Sequence, residues 1–374
     1  MQLKLADVKS SIKNLDFVLL LIAGAVSVIG IIMVASATKS LDSNRYVIVQ
    51  GAAFLIGVVM IYSIIKLDYE FIASLWGAVF AFNIVALVTV LILGRGAEET
   101  GTQGWIIFGP VGLQPAEFVK LGFIITLSKH ISKIKEKDDL NNLKNVLLLL
   151  LHLAVPVFLI LMQPDAGTAM VFIFIFIMMI YMAGVDWKYL LGGALIAAAA
   201  IPLIYYFVLN GVQQNRILNF LYPERDPLNT GYQVLQSKIA IGSGRIFGKG
   251  LFQGTQTQLG FLPEKHNDFI FAVIGEELGI IGCIIVAVLL FCLAARIFHI
   301  SRSAKNDLGK LICVGVGSMY LFHTVENICM TLGLLPVTGI CLPFVSYGGS
   351  AMLTCVAGLG LVLSVRMRRK MINF

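Results

Sequence analysis

Long apolar runs separated by short polar connections fill most of this chain. A helix needs about 20 apolar residues to cross the hydrocarbon core of a bilayer. Ten runs of this kind cover residues 17–36, 46–65, 72–93, 114–131, 145–162, 167–184, 188–209, 269–298, 309–333 and 343–366. The pattern predicts an all-α polytopic membrane protein with about ten transmembrane helices and both termini on one side.

The composition supports this class of protein. Of the 374 residues, 58% are hydrophobic and only 13% are charged, whereas soluble domains have about 25% charged residues. The six cysteines lie in the last quarter of the chain without a C-x-x-C pair. We therefore interpret them as small buried side chains rather than as disulfide or metal ligands.

Lysine and arginine are unevenly divided between alternate connections, and the richer side is normally cytoplasmic. With the N-terminus inside, the inner segments hold eighteen of them and the short outer loops hold three, Lys39, Arg45 and Arg95. The bias predicts cytoplasmic termini and explains most of the net charge of +7 without a nucleic-acid partner. The apolar run before the signal-peptidase-like site at 35–37 is longer than usual for a signal peptide, so we expect an uncleaved first span.

One polar segment, residues 210–268, is much longer than the other connections and falls on the predicted outer face. Loops of this length are uncommon and usually functional. Residues 232–246 mix apolar and polar positions as an interfacial helix does. We predict a single membrane domain, residues 1–374, with an extracytoplasmic loop at 210–268. The glycine-rich stretch 242–250 lacks the spacing of a phosphate loop, so no nucleotide site is expected.

The densest group of ionisable residues lies where this loop meets the eighth predicted span. It consists of Glu264, Lys265, His266 and Asp268. Charge at a membrane boundary is costly and usually serves a function. Helix capping alone would account for Asp268, but it does not explain the other charges. We predict that Asp268 is catalytic, and we leave Glu276 and Glu277, deeper in the span, open between packing and function.

Three further polar positions are candidates. Glu117 and Lys120 lie three residues apart on one helical face, which predicts an ion pair that locks the helix, lines a cavity, or does both. Asp165 is an N-cap candidate for the sixth span, or a ligand for a cation or a hydroxyl. Ser346 precedes two glycines at the start of the tenth span, where either close helix packing or phosphate binding by backbone amides is expected. His323, Glu326 and Asn327 of the ninth span are left open.

Six motifs together resemble the SEDS (shape, elongation, division and sporulation) family of bacterial membrane proteins, and within it the elongation branch. They are 114–120 (QPAEFVK), 163–168 (QPDAGT), 236–244 (QSKIAIGSG), 261–279 (FLPEKHNDFIFAVIGEELG), 333–339 (GLLPVTG) and 343–350 (PFVSYGGS). The resemblance spans nearly the whole chain. It departs from the commonest family pattern at Ala116, Arg245 and Asn267, and none of these is a matched functional residue.

The resemblance implies a peptidoglycan glycosyltransferase of the bacterial cytoplasmic membrane. Such a protein polymerises lipid II into glycan strands at the outer face during cell elongation. It works with a class B penicillin-binding protein as transpeptidase and with other membrane proteins of the elongation complex. The family's essential aspartate corresponds to Asp268. Its functional glutamate and lysine correspond to Glu117 and Lys120, and its acidic outer-turn residue corresponds to Asp165.

Glycosyl transfer from a lipid diphosphate requires a base at the acceptor hydroxyl and positive charge at the leaving group. Asp268 is the predicted base, and His266, Glu117, Lys120, Asp165 and Ser346 are the predicted substrate-binding residues. The cofactor is left unknown, because the positive charge can come from Lys and Arg of the outer loop or from a divalent cation such as Mg²⁺, shared by Asp165 and Asp268. A lipid II flippase or transporter is the alternative, and a non-catalytic scaffold is a third. The grouping of Asp165 and Asp268 at one predicted face favours the enzyme.

Overall fold

The computed structural model describes residues 15–41, 43–94, 103–108, 111–207, 211–222 and 230–369. Its helices are α1 Phe17–Thr38, α2 Arg45–Lys66, α3 Tyr69–Ser74, α4 Trp76–Leu93, α5 Pro115–Lys137, α6 Leu143–Leu161, α7 Ala166–Ala183, α8 Trp187–Phe207, α9 Gly211–Leu221, α10 Thr230–Gly244, α11 Thr255–Gln258, α12 Ile270–Arg302, α13 Asp307–Thr331 and α14 Gly349–Met367. A short antiparallel hairpin pairs β1, Ile106–Phe108, with β2, Val111–Leu113. Among the lysines and arginines counted for the orientation, Lys4, Lys9, Lys13, Arg95 and Lys370 lie outside the described residues.

The predicted all-α polytopic class is confirmed. Eight helices are long and apolar enough to cross a membrane, namely α1, α2, α4, α6, α7, α12, α13 and α14. Helices α5 and α8 occupy the two other predicted positions. Helix α5 is much less apolar than these eight, since it carries Glu117, Lys120 and a lysine-rich last turn. The total of ten spans, and which side the termini face, stay predictions.

Three helix boundaries differ from the sequence-based expectation. The third predicted span is divided at Leu75 into α3 and α4. The eighth is interrupted at Gly279, whose φ of +69° and ψ of −167° are accessible to glycine but strained for other residues. The tenth begins at Gly349 and not at residue 343, because the positive φ of Phe344 (+63°) is not helical.

The long loop 210–268 is more structured than a polar connection, because it contains α9, α10 and α11. Helix α10 confirms the helix expected at 232–246 and packs against the membrane bundle. A Cβ atom on Gly244 would lie 1.9 Å from the carbonyl oxygen of Gly275, so only glycine allows this approach. Ser237 Oγ donates to the Thr331 carbonyl at 2.7 Å. Residues 222–227, whose two prolines predict a turn, lie outside the described residues from 223 on.

Helix α13 lies at the centre of the bundle. It packs against α12, α7, α5 and α14. Of its most apolar stretch of 18 residues, 78% is buried within the protein. The segment after it, residues 332–348, is not helical and leads back across the ends of these helices to α14. This central helix and the segment that follows it position the candidate site.

Candidate functional site

Asp268 lies in a tight turn immediately before α12. The carbonyl of Glu264 accepts hydrogen bonds from the N–H groups of Asn267 (3.1 Å) and Phe269 (3.2 Å), and Glu264 has a φ of +45°. Phe269 is the N-cap residue of α12, and its side chain makes no capping hydrogen bond. Asp268 therefore lies one residue before the N-cap position that one of the two sequence interpretations gave it. Asp268 is partly exposed, so its carboxylate has access to a ligand.

Two neighbouring residues fix the backbone of this turn. Asn327 of α13 donates from Nδ2 to the carbonyl oxygens of Asp268 (2.9 Å) and Ile340 (2.7 Å). The N–H of Tyr347 donates to the carbonyl of His266 at 2.8 Å. Asn327 is fully buried. Its role is therefore to join the turn to the 332–348 segment, which holds Asp268 in place.

His266 packs among aromatic rings. Its imidazole lies 4.8 Å from the Tyr46 ring and 5.6 Å from the Tyr347 ring, measured between centroids. Burial lowers the pKa of His266, and this outweighs the opposite effect of the Glu264 carboxylate, while the charge of Lys265 lowers it further. The imidazole therefore packs against two tyrosine rings, and its contact with substrate stays a prediction.

Ser346 is 3% exposed and its hydroxyl is used inside the protein. Ser346 Oγ donates to the carbonyl of Asn267 at 2.7 Å and accepts from the N–H of Leu342 at 2.8 Å. Its own carbonyl accepts from Gln50 Nε2 at 3.0 Å. These contacts place Ser346 against the backbone beside Asp268, and a direct contact with substrate stays a prediction.

The expected ion pair between Glu117 and Lys120 is present in the first two turns of α5. The ammonium lies 2.7 Å from Glu117 Oε1, and Lys120 is 1% exposed. Lys120 Nζ also lies 3.0 Å from His323 Nε2, and His323 Nδ1 lies 3.2 Å from the carbonyl of Cys341. This geometry requires a neutral His323 that accepts from lysine and donates to the carbonyl. Glu117 and Lys120 also act electrostatically on Asp165.

Asp165 is the N-cap residue of α7, as one of the two sequence interpretations stated. Its Oδ1 accepts from the N–H of Thr168 at 2.9 Å, and its Oδ2 lies 3.5 Å from Gln114 Nε2. The start of α7 packs directly on the segment after α13, since a Cβ atom on Gly167 would lie 2.8 Å from the Thr338 carbonyl oxygen. Capping therefore accounts for one carboxylate oxygen of Asp165 and leaves the other near the entry of α5.

The candidate residues meet around residues 338–341. Burial raises the pKa of the Cys341 thiol, the carboxylates of Asp268 and Glu117 raise it further, and Lys120 opposes them. A Cβ atom on Gly339 would lie 3.6 Å from Asp268 Oδ2. Because these groups all influence one thiol, they occupy a single neighbourhood. The 332–348 segment thus links the Asp268 turn to the ion pair of α5.

Glu326 joins this neighbourhood, although sequence reasoning left its role open. It is 3% exposed and lies one helical turn from His323 on α13. The Thr338 hydroxyl donates to its Oε1. Its Oε2 is buried and has no hydrogen-bond partner in the described part of the chain. The signal in the sequence was the i, i+3, i+4 spacing of His323, Glu326 and Asn327, which places all three on one face.

Glu276 has a different environment. It is fully buried and forms an ion pair with Lys249 Nζ at 2.9 Å. It also accepts from the N–H groups of Gln256 (2.8 Å) and Thr257 (2.9 Å) and from the Thr257 hydroxyl (2.7 Å). These partners all belong to residues 249–258, so Glu276 fixes that part of the loop to α12.

Glu277 completes the same attachment. It is also fully buried. Its carboxylate accepts from Ser36 Oγ (2.7 Å), from the Phe252 N–H (3.1 Å) and from Gln258 Nε2 (3.2 Å). The contacts favour structure for Glu276 and Glu277, which the sequence left open, since their carboxylates accept hydrogen bonds from residues 249–258 and, for Glu277, from Ser36 of α1.

A metal was considered for Asp165 and Asp268. Among the described residues, no three His, Cys, Asp or Glu side chains are grouped so that they could hold an ion. An ion shared by Asp165 and Asp268 stays a prediction, since two carboxylates with substrate oxygens can bind Mg²⁺.

Comparison with known proteins gives a consistent result. The family described as the FtsW/RodA/SpoVE cell cycle proteins matches residues 13–371. The peptidoglycan glycosyltransferase MrdB of Escherichia coli K12 is 37% identical over 296 residues, which are 79% of each chain. A probable peptidoglycan glycosyltransferase FtsW of Trichlorobacter lovleyi is 35% identical over 358 residues, covering 94% of this chain and 92% of that one.

Solved structures share the fold. One chain, from a study of the structural coordination of polymerization and crosslinking by a peptidoglycan synthase complex, aligns with a TM-score of 0.80 and 29% identity, covering 94% of this chain and 97% of the other. The rod shape determining protein RodA of Thermus thermophilus aligns with a TM-score of 0.72 and 27% identity, covering 96% and 98%. The similarity therefore extends over nearly the whole fold.

Proposed function

Because the chain belongs to the FtsW/RodA/SpoVE family, we propose that it is a peptidoglycan glycosyltransferase, which polymerises lipid II at the outer face of the bacterial cytoplasmic membrane during cell elongation. Relatives that are 37% and 35% identical are named as peptidoglycan glycosyltransferases. In this proposal the protein is a single membrane domain, and the segment 210–268 faces outside. The positive-inside distribution of lysine and arginine supports that orientation.

The observation that carries the proposal is the partly exposed Asp268 on a backbone turn that Asn327 and the 332–348 segment hold in place. A base must be positioned within hydrogen-bond reach of the hydroxyl that it deprotonates. In the reaction, the acceptor sugar oxygen bonds to the anomeric carbon of a second lipid II. The bond from that carbon to the diphosphate oxygen breaks, and the hydroxyl proton passes to Asp268. Displacement in one step inverts the anomeric centre.

The surrounding residues receive supporting roles. Glu117 and Lys120 compensate each other's charge close to Asp268, and Asp165 and His266 contact the sugar or diphosphate part of the substrate. Ser346 supports the turn through the Asn267 carbonyl. Positive charge for the leaving diphosphate comes from basic residues of the outer loop or from a divalent cation such as Mg²⁺.

The partner in this proposal is a class B penicillin-binding protein that crosslinks the new strands, together with other membrane proteins of cell elongation. A structural relative comes from a peptidoglycan synthase complex that coordinates polymerization and crosslinking. The partner would supply the transpeptidase activity, and we assign no transpeptidase site to the described residues of this chain.

The test is polymerisation of fluorescent lipid II by the purified chain in proteoliposomes, with and without the candidate transpeptidase. We expect glycan products from the wild type. Asp268→Asn should lower the rate by about 100-fold to 10,000-fold, the usual contribution of a general base, while thermal unfolding is unchanged. Asp186→Asn, at an exposed aspartate before α8, is the matched control and should keep full activity.

Two results would contradict the proposal. Near-normal glycan synthesis by the Asp268→Asn variant would show that Asp268 is not the base. If the wild type makes no glycan, alone or with the partner, but moves fluorescent lipid II between the leaflets, then the transporter alternative is correct.

A further inference from the structure

Three partly exposed rings from separate parts of the chain meet beside the Asp268 turn. They are Tyr46 in the first turn of α2, His266 in the Asp268 turn itself, and Tyr347 just before α14. The Tyr46 ring centroid lies 4.8 Å from that of His266 and 5.0 Å from that of Tyr347. The centroids of His266 and Tyr347 are 5.6 Å apart. We call these three rings the aromatic cluster, and neither tyrosine has a part in the proposed reaction so far.

The aromatic cluster is attached to the same backbone as Asp268. The N–H of Tyr347 donates to the carbonyl of His266 at 2.8 Å. The residue before it, Ser346, donates from Oγ to the carbonyl of Asn267 at 2.7 Å. The two residues that precede Asp268 in the turn are therefore both bonded to the segment that carries Tyr347.

The start of α2 is fixed to this segment by Gln50. Gln50 is fully buried and lies one helical turn after Tyr46. Its Nε2 donates to the Ser346 carbonyl at 3.0 Å, and its Oε1 accepts from the Gly348 N–H at 3.2 Å. Because Gln50 bonds the residues on both sides of Tyr347, the two tyrosine rings are held in a defined relative position.

The polar atoms of the three rings are left unused inside the protein. Among the described residues, no hydrogen bond involves the Tyr46 hydroxyl, the Tyr347 hydroxyl or a ring nitrogen of His266. None of these atoms is buried without a partner, so each is accessible from outside. By contrast, the fully buried Tyr69 and Tyr320 both use their hydroxyls in internal hydrogen bonds. The aromatic cluster therefore has free polar groups beside apolar ring surfaces.

This combination suits a sugar ring. A pyranose has apolar C–H faces that pack on aromatic rings and hydroxyl groups at its edge that need hydrogen-bond partners. Binding sites for small molecules are typically lined by aromatic side chains with a few polar groups that fix the orientation of the ligand. A diphosphate instead requires positive charge, which the two tyrosines do not supply. The chemistry of the aromatic cluster thus favours the sugar part of the substrate.

We propose that the aromatic cluster is the subsite for the acceptor sugar of lipid II, and that Tyr46 is its specificity-determining residue. This inference rests on the proposed function, in which Asp268 is the base. A sugar bound against these rings lies beside the turn that carries the base, as the acceptor must when its hydroxyl is deprotonated. Tyr46 has the largest role because its ring is the nearest neighbour of both other rings.

The test compares two lipids that differ only in the sugars. Equilibrium binding of lipid II, and of the same polyprenyl diphosphate without sugars, is measured on the full chain in nanodiscs, in the Asp268→Asn background to prevent turnover. Adding Tyr46→Leu should raise the Kd for lipid II by about tenfold, which corresponds to about 1.4 kcal/mol. The Kd for the polyprenyl diphosphate should be unchanged, because that lipid does not reach the rings.

Two further variants sharpen the comparison. Tyr46→Phe keeps the ring and its packing but removes the hydroxyl, so its Kd for lipid II should lie between those of the parent and Tyr46→Leu. Tyr62→Leu is the matched control, since Tyr62 lies near the other end of α2, with the Lys66 ammonium 4.4 Å from its ring centroid. Both of its dissociation constants should equal those of the parent. With Asp268 intact, Tyr46→Leu should raise the KM for lipid II and leave kcat nearly unchanged.

Two results would overturn the inference. One is a Kd for lipid II that Tyr46→Leu leaves unchanged. The other is an equal rise in Kd for both lipids, which would show that Tyr46 supports the fold and does not contact the sugar. Failure of the proposed function is a separate result: the wild type would make no glycan, while Tyr46→Leu would still weaken the binding of lipid II alone, which would support a sugar subsite in a transporter.

Discussion

The two acidic regions around α12 differ in how their carboxylates are satisfied. Glu276 and Glu277 are fully buried, and each has at least three hydrogen-bond donors from residues that are distant in sequence. Asp268 is partly exposed, and its neighbour Glu326 has an oxygen without a partner in the described part of the chain. The carboxylate oxygens of Glu276 and Glu277 all accept hydrogen bonds within the protein. In the other region, Glu326 Oε2 has no partner among the described residues.

If Asp268 is the base, as proposed, this difference distinguishes structural acids from the proposed reactive one. A buried carboxylate with several donors is held in its charged form and makes a stable attachment. A carboxylate with unused acceptor capacity can take a proton or bind a hydroxyl. Asp268, Glu276 and Glu277 lie in one continuous motif of the sequence, so the distinction between them comes from their partners in the fold and not from residue type.

The prediction with the largest expected effect asks whether the pairing of a buried charge, and not its proximity to Asp268, decides its contribution to stability. Glu117 and Lys120 lie in the reactive neighbourhood but are paired like the structural acids. Glu117→Ala or Lys120→Ala leaves an unpaired buried charge and should lower the free energy of unfolding by about 3–5 kcal/mol. Polymerisation should fall in both single variants, because the charge near the substrate is no longer compensated.

The double variant is the control for this prediction. Glu117→Ala combined with Lys120→Ala leaves neither charge, so its loss of stability should be clearly smaller than the sum of the two single losses. Thermal unfolding and polymerisation are measured for all four proteins. Purely additive effects would mean that the two residues do not act as a pair.

The helices could be predicted well from the sequence, because apolar runs and their polar boundaries are local properties. Asp268, Glu117, Lys120 and Asp165 could also be identified, since isolated charge in an apolar context is conspicuous. The predicted start of α14 was wrong, because the run of apolar residues includes Pro343 and Phe344, whose backbone is not helical. Hydropathy does not register backbone conformation.

The division between structural and reactive acids could not be predicted. The donor to Glu277 from Ser36 is 241 residues away in the chain. The only donor to Glu326 in the described residues is Thr338, which lies beyond the end of its helix. Such partners depend on how the helices and the 332–348 segment come together. A single sequence shows the carboxylates but not which of them are already occupied.

A second prediction contrasts the two acidic regions: a change in one should lower stability, and a change in the other should lower activity. Glu277→Gln keeps the shape but removes the charge and replaces one acceptor oxygen by a donor, so part of the loop 249–258 loses its attachment. The free energy of unfolding should fall by about 1–3 kcal/mol, the cost of unsatisfied buried groups, and protease should cut this loop faster. Asp268→Asn should change neither quantity, although it should lower the rate of polymerisation by about 100-fold to 10,000-fold.

The control for the loop is Glu264→Gln, an exposed acid close to Asp268. It should leave the free energy of unfolding within about 0.5 kcal/mol of the wild type, as surface substitutions usually do, and the rate of proteolysis unchanged. If Glu277→Gln is as stable as this control, then the hydrogen bonds of Glu277 do not hold the loop, and the comparison between the two regions fails on its structural side.

The smallest expected effect concerns Ser346, whose hydroxyl has internal partners but lies beside the Asp268 turn. Its hydroxyl bonds the Asn267 carbonyl and the Leu342 N–H, so Ser346→Ala should cost about 1 kcal/mol of stability. The KM for lipid II should change by less than about tenfold, since that change corresponds to about 1.4 kcal/mol of lost substrate binding. Ser318→Ala is the matched control, because Ser318 Oγ is buried without a partner in the described residues and should be removed at little cost. A KM that rises tenfold or more in Ser346→Ala, with unfolding unchanged, would instead make Ser346 a direct ligand of the diphosphate, and its internal hydrogen bonds would then be features that open when substrate binds.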